Sequence, residues 1–138
     1  MNAIPIYIIN LDRSPERLTY IQRQFSKSNL EFNRVPAVDG AKLPKGELSR
    51  YKNESKYSLS HYSSLSNGEI GCSLSQKFAW NIAAKGCHCA TVILEDDVKI
   101  SDKFSSVIQS LYENMDENII IDLKGKKGFF ELERVHLS

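Results

Sequence analysis

The sequence predicts an α/β protein with an open, mostly parallel sheet and flanking helices. Two short runs, residues 4–10 and 91–94, have the continuous apolar character of strands that are covered on both faces. Segments with helical periodicity follow both runs, and strands that alternate with helices imply parallel pairing with right-handed crossovers. A chain of 138 residues, of which 41% are hydrophobic, can bury its own core. We therefore predict a single domain over residues 1–138.

The first unit is predicted to run from strand to loop to helix. Residues 4–10 are rich in β-branched and aromatic side chains, which favour strands. Ser14 is placed to cap the following helix and Pro15 to occupy its first turn. The apolar stripe of this helix consists of Leu18, Ile21 and Phe25. Residues 30–38 then predict a second extended segment.

A turn at Asp39 and Gly40 is expected to end this second segment, because glycine permits tight turns. Residues 41–67 are rich in lysine, serine, tyrosine and asparagine and lack a sustained period. This composition predicts a long surface loop with room for a short helix, and a disordered insertion is equally consistent with it.

A third helix is expected after Gly71 and is expected to end at Gly86. Its apolar stripe consists of Leu74, Phe78 and Ile82. Trp80 lies on the same helix, where a tryptophan is more often part of the core than a surface that stacks on a sugar. We therefore expect Trp80 to be buried.

The last part of the chain predicts one more helix and one more strand. Ser101 or Asp102 can cap the helix. Its apolar stripe consists of Phe104, Val107, Ile108, Leu111 and Tyr112. Residues 118–123 have the character of another buried strand, and we expect it to extend the parallel sheet.

Three consecutive acids, Glu95, Asp96 and Asp97, follow the apolar run at residues 91–94. Burial of an unpaired carboxylate is costly, so we expect these acids at the carboxyl end of the strand, where open parallel sheets bind ligands. Carboxylate oxygens suit magnesium or manganese, and such an ion can bridge to the phosphates of a nucleotide. The cluster favours metal-assisted chemistry on a phosphorylated substrate, with a solvated strand-to-loop junction as the alternative.

Charge and composition limit the classes of partner and the cellular location that we expect for this chain. A formal net charge of +1 gives no overall field that would attract nucleic acid. The number of cysteines is odd, and the chain does not begin with a basic and then apolar signal segment, so we expect a cytoplasmic protein. No apolar run approaches the roughly 20 residues that span a bilayer. Any contact with a membrane is therefore expected to be peripheral.

Four segments together resemble glycosyltransferase family 25, the lipooligosaccharide sugar transferases. They occur in the order and spacing of that family and comprise residues 8–18, 34–40, 68–75 and 93–98. The resemblance implies a nucleotide-sugar-binding fold of the GT-A type. It also implies inverting transfer of a sugar, often galactose, from a uridine diphosphate (UDP) donor to a lipooligosaccharide, lipopolysaccharide or other glycan acceptor. The divalent cation would be Mn²⁺ or Mg²⁺.

The resemblance also assigns roles to individual residues. The donor-binding candidates are Asn10, Leu11, Arg13, Arg17, Asp39, Gly71, Ser75, Gln76 and Asp96. Asp97 is the first candidate for a metal ligand and Glu95 the second, because alternation along a strand would turn Asp96 elsewhere. The alternative for Arg13 and Arg17 is that they are solvated charges on a helix surface. Gln76 stands where the family usually has histidine, which affects the expected donor or acceptor preference.

The general base for inverting transfer is not assigned. Members of the family normally continue well past Leu123, so the usual C-terminal half, which plausibly supplies that base, is expected to be missing here. Three interpretations remain open: a sugar transferase, a donor-binding module without turnover, and a non-enzymatic interaction fragment that self-associates through an exposed sheet edge.

Overall fold

The computed structural model describes residues 4–54, 65–86, 88, 90–114, 119–126 and 129–136. The chain divides into two compact units, Met1–Asp102 and Lys103–Ser138. The elements of the first unit are β1 (Ile6–Asn10), α1 (Pro15–Lys27), β2 (Asn33–Pro36), α2 (Lys45–Glu54), α3 (Asn67–Lys85) and β3 (Val92–Glu95). The elements of the second unit are α4 (Phe104–Glu113), β4 (Ile119–Lys126) and β5 (Phe129–His136).

The three strands of the first unit form one parallel sheet in the order β2-β1-β3. In the central strand, Ile8 lies opposite Arg34 of β2 and Leu94 of β3. The predicted α/β class with a mostly parallel sheet and flanking helices is therefore confirmed. Because the strands are parallel, all three end at one edge of the sheet, which we call the carboxyl edge.

One face of this sheet is packed against α3. The core cluster there contains Ile9 of β1, Val35 of β2 and Ala79 of α3, with Tyr7 and Ile93 partly buried against it. Alternation along β1 places Ile6, Ile8 and Asn10 on the opposite face, and all three are buried. Burial on both faces explains why β1 reads as a continuous apolar run.

Helix α1 agrees with its prediction in position and buried face. Pro15 occupies the first turn, and Ile21 and Phe25 are buried. Ser14 is at the N-cap, but its side chain makes no capping hydrogen bond. On the same helix, the Gln24 side chain donates to the carbonyl of Val98 and accepts from the N–H of Ile100, which ties α1 to the segment after β3.

Much of the predicted long loop is ordered as two short helical elements. A 3-10 turn at Gly40–Lys42 follows Asp39, whose carboxylate accepts from the N–H of Ala41. Helix α2 then occupies Lys45–Glu54 and buries Leu48. Residues 55–64 of the predicted loop lie outside the described residues.

Helix α3 begins earlier than predicted, at Asn67 instead of after Gly71. The reason is a capping box: the Ser66 hydroxyl accepts from the N–H of Glu69, and the Glu69 carboxylate accepts from the N–H of Ser66. This reciprocal bonding offsets the low helix propensity of Gly68 and Gly71. The predicted end of the helix at Gly86 is confirmed.

The buried face of α3 also differs from the predicted stripe. Its buried residues are Ile70, Gly71, Ser75 and Ala79, which are mostly small. Phe78 is 48% exposed and Trp80 is 53% exposed, so the expectation that these rings belong to the core is wrong. Close approach of the helix to the sheet and to the segment at residues 38–40 requires small side chains, which a search for large apolar residues does not detect.

In the second unit, α4 buries Phe104 and Ile108, as its stripe predicts. β4 and β5 pair antiparallel, with Ile119 opposite His136 and Lys126 opposite Phe129. The predicted strand at residues 118–123 is confirmed as β4, but its expected place in the parallel sheet is wrong. Only two residues separate β4 from β5. Pairing across so short a connection has a low entropic cost of loop closure.

Candidate functional site

A cleft of about 320 Å³ lies at the carboxyl edge of the sheet. Its walls come from the end of β1, the segment that follows β2, the first turns of α3 and the turn after β3. The chain leaves β1 through α1 to reach β2 on one side of β1, and it later returns to form β3 on the other side of β1. The strand order therefore changes direction at β1. A crevice at such a change of direction is the usual ligand site of open α/β sheets.

Beneath the cleft, Asn10 connects three elements. This residue is 1% exposed, and its side-chain N–H₂ donates to Asp96 Oδ2 at 2.6 Å and to the carbonyl of Ser14 at 3.1 Å. Its side-chain oxygen accepts from Arg34 Nε at 2.9 Å. Every polar atom of the amide therefore has a partner, which fixes Asp96 relative to β1 and α1.

Two arginines face the cleft, and each is paired with a carboxylate. Arg17 Nη1 lies 3.3 Å from Asp96 Oδ1, and Arg13 Nε lies 2.9 Å from Asp39 Oδ2. Both arginine side chains are more than half exposed, whereas both carboxylates are largely buried. Among the described residues, each guanidinium thus keeps N–H donors without a partner, which can receive an anion, while it neutralises its paired acid.

The wall formed by residues 38–40 rests directly on α3. A Cβ on Gly71 would lie 2.7 Å from the carbonyl oxygen of Val38 and from the backbone nitrogen of Gly40. Ser75, which is 2% exposed, accepts from the N–H of Val38 at 2.8 Å and donates to the carbonyl of Gly71. Gly71 therefore allows the helix and the loop to approach each other closely.

Ser75→Ala is expected to lower the free energy of unfolding by about 1–2 kcal/mol, because the N–H of Val38 loses its partner in a partly buried position. Chemical denaturation followed by circular dichroism measures this change. Ser73→Ala is the matched control on the same helix, because Ser73 is exposed, and its effect is expected to stay within about 0.5 kcal/mol. Equal effects of the two substitutions would contradict the assigned role of Ser75.

Glu95 lies in the cleft opposite the first turns of α3. Its Oε1 accepts from Gln76 Nε2 at 3.1 Å and from the Cys72 thiol at 3.7 Å. Partial burial, followed by the negative charge of Glu95 and the hydrogen bond to it, raises the pKa of the Cys72 thiol above its ordinary value. Cys72 is thus held as a neutral thiol beside the acid cluster.

Alkylation of Cys72 by iodoacetamide at pH 8 is expected to be slower in the folded chain than in the chain unfolded by denaturant. The raised pKa leaves less thiolate, which is the reactive form. Mass spectrometry of the peptide that contains Cys72 measures the rate. Glu95→Gln should accelerate the reaction because it removes the negative charge, and an unchanged rate in this variant would contradict the electrostatic cause.

The three acids after β3 have different environments. β3 ends at Glu95, so strand alternation does not extend to Asp96 and Asp97, which lie in the turn that follows. Asp96 is 7% exposed and both of its oxygens accept hydrogen bonds, from Asn10 and Arg17. Asp97 is exposed and is not among the residues that line the cleft.

These environments fit a cation that is shared with a ligand. Glu95 Oε2 and the Asp97 carboxylate accept no hydrogen bond within the described part of the chain, whereas Asp96 is fully engaged. Among the same residues, no group of three or more histidine, cysteine or acidic side chains is arranged to hold a metal alone. Mg²⁺ typically uses one or two carboxylates and completes its shell with water and substrate phosphates.

A second cavity of about 260 Å³ adjoins the cleft. Arg13 and Asp39 line both spaces, so their ion pair lies at the boundary. Lys42, the last residue of the 3-10 turn, and Leu43, which follows it, also line the second cavity. The two spaces together offer a longer binding surface than the cleft alone.

Most of the predicted donor-binding residues are brought together. Those that line the cleft are Leu11, Arg13, Arg17, Asp39, Ser75, Gln76 and Asp96. Asn10 and Gly71 lie behind its walls, where they fix other groups. Sequence reasoning missed Arg34, since nothing in a single strand-like segment indicates that its arginine reaches the end of the neighbouring strand.

A family model described as glycosyltransferase family 25 (LPS biosynthesis protein) matches residues 3–138. A glycosyltransferase 25 family member from Drosophila melanogaster is 33% identical over 105 residues, which cover 72% of this chain and 17% of the relative. Procollagen galactosyltransferase 2 of Homo sapiens is 32% identical over 115 residues, which cover 81% of this chain and 18% of the relative.

A bacterial relative from Haemophilus influenzae, whose name gives glycosyltransferase as a provisional assignment, is 27% identical over 124 residues. These residues cover 89% of this chain and 43% of the relative. The chain therefore spans less than half the length of each of these three relatives. Across the described residues, none of the helices has both the length and the apolar character needed to cross a bilayer.

Proposed function

We propose, from the premise that this chain belongs to glycosyltransferase family 25, that its cleft binds a UDP-sugar and serves a metal-dependent, inverting transfer of galactose. The acceptor would be lipooligosaccharide, lipopolysaccharide or another glycan. The observation that carries the proposal is the cleft at the carboxyl edge, whose lining combines Arg13 and Arg17 with Glu95, a carboxylate that keeps one oxygen without a hydrogen bond among the described residues. This pairing suits a diphosphate and a divalent cation at one place.

Arg13 and Arg17 would bind the diphosphate. Both side chains are exposed on the cleft side, and their planar forks can donate two parallel hydrogen bonds to phosphate oxygens. Asp39 would accept from the ribose or the uracil, which the second cavity has room to receive. A donor with this extent would follow the GT-A arrangement, in which the nucleotide lies across the ends of the first strands.

Glu95 and Asp97 would hold Mn²⁺ or Mg²⁺ together with the diphosphate. When bound, the cation offsets the negative charge that develops on the departing diphosphate. Gln76 donates to Glu95 and so orients this carboxylate. Asp96, which lines the cleft, would act through its ion pair with Arg17, which keeps that guanidinium at the wall.

Two names among the similar proteins support the sugar and the acceptor. The human relative is named as a galactosyltransferase that acts on procollagen, and the family description refers to lipopolysaccharide biosynthesis. From the first name we take galactose as the transferred sugar, and from the second we take a bacterial glycan as the acceptor. On this proposal the chain works in the cytoplasm, at the cytoplasmic face of the inner membrane, where such acceptors are assembled.

The test is release of UDP from a panel of UDP-sugars, with and without lipooligosaccharide acceptor, in the presence of Mn²⁺. Acceptor-dependent release from UDP-galactose that exceeds release from UDP-glucose supports the proposal. Release from a different sugar would overturn the galactose assignment. Absence of release from every donor, although UDP binds, would favour the second candidate.

That second candidate is a nucleotide-sugar-binding module without turnover. It is favoured by one observation on the described acids that line the cleft. Asp39 and Asp96 have both oxygens engaged in hydrogen bonds, and Glu95 is the proposed ligand of the cation, so none is left to act as a general base. The base would then come from residues beyond those that the structure describes, or from a longer protein. Binding of UDP without transfer distinguishes this candidate.

A further inference from the structure

Arg34 of β2 lies outside the cleft but contacts the residue that organises it. Its Nε donates to Asn10 Oδ1 at 2.9 Å, and its Nη2 donates to the carbonyl oxygen of Asn10 at 3.2 Å. Nη2 also pairs with Asp12, at the start of the loop that follows β1. Its side chain is 30% exposed, so these bonds are partly shielded from water.

The parallel register makes this contact possible. Arg34 is paired with Ile8, and Asn10 lies two residues further along β1 on the same face of the sheet. A long side chain at this position of β2 therefore reaches diagonally to the end of β1. The guanidinium thus donates hydrogen bonds to both the side-chain amide and the backbone carbonyl of Asn10, the last residue of the strand.

Arg34 determines which way the Asn10 amide faces. A guanidinium has only donors, so the side-chain oxygen must face Arg34 and the N–H₂ must face the opposite side. That N–H₂ is what donates to Asp96 at 2.6 Å. In the reversed orientation an amide oxygen would oppose the Asp96 carboxylate, and an N–H₂ would oppose the guanidinium.

We propose that Arg34 is a positioning residue for donor binding, which acts through the Asn10 amide to hold Asp96 and thereby Arg17 at the cleft wall. The chain of contacts runs from β2 through β1 to the turn after β3 and back to α1. Arg34 itself is not among the residues that line the cleft. This inference rests on the proposed function only for the identity of the ligand.

The experiment compares the 138-residue wild-type chain with Arg34→Met and Arg34→Lys by two readouts. Nuclear magnetic resonance measures solvent exchange of the assigned side-chain amide protons of Asn10, which needs no ligand. Calorimetry measures the affinity for UDP with Mn²⁺, at a temperature where each variant is folded by circular dichroism. We expect Arg34→Met to lose the protection of the Asn10 amide and to bind UDP about 10-fold more weakly, the usual scale for groups that orient a ligand-binding residue.

Arg34→Lys should recover part of both properties, because lysine still donates to the Asn10 oxygen but cannot also reach the carbonyl with a fork. Arg23→Met is the matched control: it removes an exposed arginine of α1 and should leave both readouts as in the wild type. Asp12→Ala removes the remaining acceptor of Arg34 without touching Asn10 and should preserve the amide protection.

Unchanged exchange of the Asn10 amide in Arg34→Met would overturn the proposal. Lost protection together with wild-type affinity for UDP would also overturn it, because orientation would then not matter for binding. If the wild type binds no UDP but its Asn10 amide is protected in an Arg34-dependent way, the proposed function fails while the orientation by Arg34 stands.

Discussion

Asp97→Asn is expected to lower the rate of sugar transfer by about 100-fold, which is the usual effect of removing one electrostatic stabiliser of a developing charge. Asparagine is a poorer ligand for Mn²⁺ or Mg²⁺ because it has no negative charge. The rate of UDP release under saturating donor measures this loss. Asp97 is exposed, so its replacement should barely change the free energy of unfolding.

Asp102→Asn is the matched control for this substitution. Asp102 is an exposed aspartate that follows β3 by a few residues and does not line the cleft. It should retain the wild-type rate and the wild-type requirement for the cation. Full metal-dependent activity in Asp97→Asn would exclude Asp97 as a metal ligand.

Gly40→Ala is expected to destabilise the first unit by roughly 3 kcal/mol, at the upper end for an added methyl group in a packed site. A Cβ at Gly40 would overlap the backbone carbonyl of Asn67, at the beginning of α3. Since backbone cannot rotate away as a side chain does, the loop and the helix must separate. The wall at residues 38–40 should move with them, so we also expect weaker binding of UDP.

Thermal and chemical unfolding of Gly40→Ala measure the loss of stability. Gly46→Ala is the matched control, because a Cβ at Gly46 would have no heavy atom within 4 Å. Gly46 lies in α2, where alanine has the higher helix propensity, so this control should be neutral or more stable by up to about 1 kcal/mol. Similar losses of stability in both variants would show that the close approach at Gly40 is not what limits substitution.

The sheet and the place of the cleft were predictable because their signals are strong and local. β1 is largely buried and the apolar residues of β3 are half-buried, so both strands read as unbroken apolar runs, and Glu95 marks where β3 meets water. Parallel pairing then brings the ends of the strands to one edge. The position of the acids relative to Arg13 and Arg17 follows from that topology.

The parts that sequence reasoning missed depend on close packing or on contacts between distant residues. The buried face of α3 is built on Gly71, Ser75 and Ala79, whose small side chains give little apolar signal although the fold requires them. The start of α3 is an exception: the Ser66 capping box is a local sequence signal, but the prediction overlooked it and placed the start after Gly71. The role of Arg34 was not readable, because it depends on the strand register that places its side chain beside Asn10.

The central claim is that the cleft at the carboxyl edge is a cation-dependent site for UDP. Calorimetric titration of the wild-type chain with UDP, first with Mn²⁺ and then with a chelator, tests it most directly. We predict binding in Mn²⁺ that weakens strongly when the cation is removed. Equal affinity in the two conditions would contradict the cation requirement, and absence of binding by a chain shown to be folded would contradict the site itself.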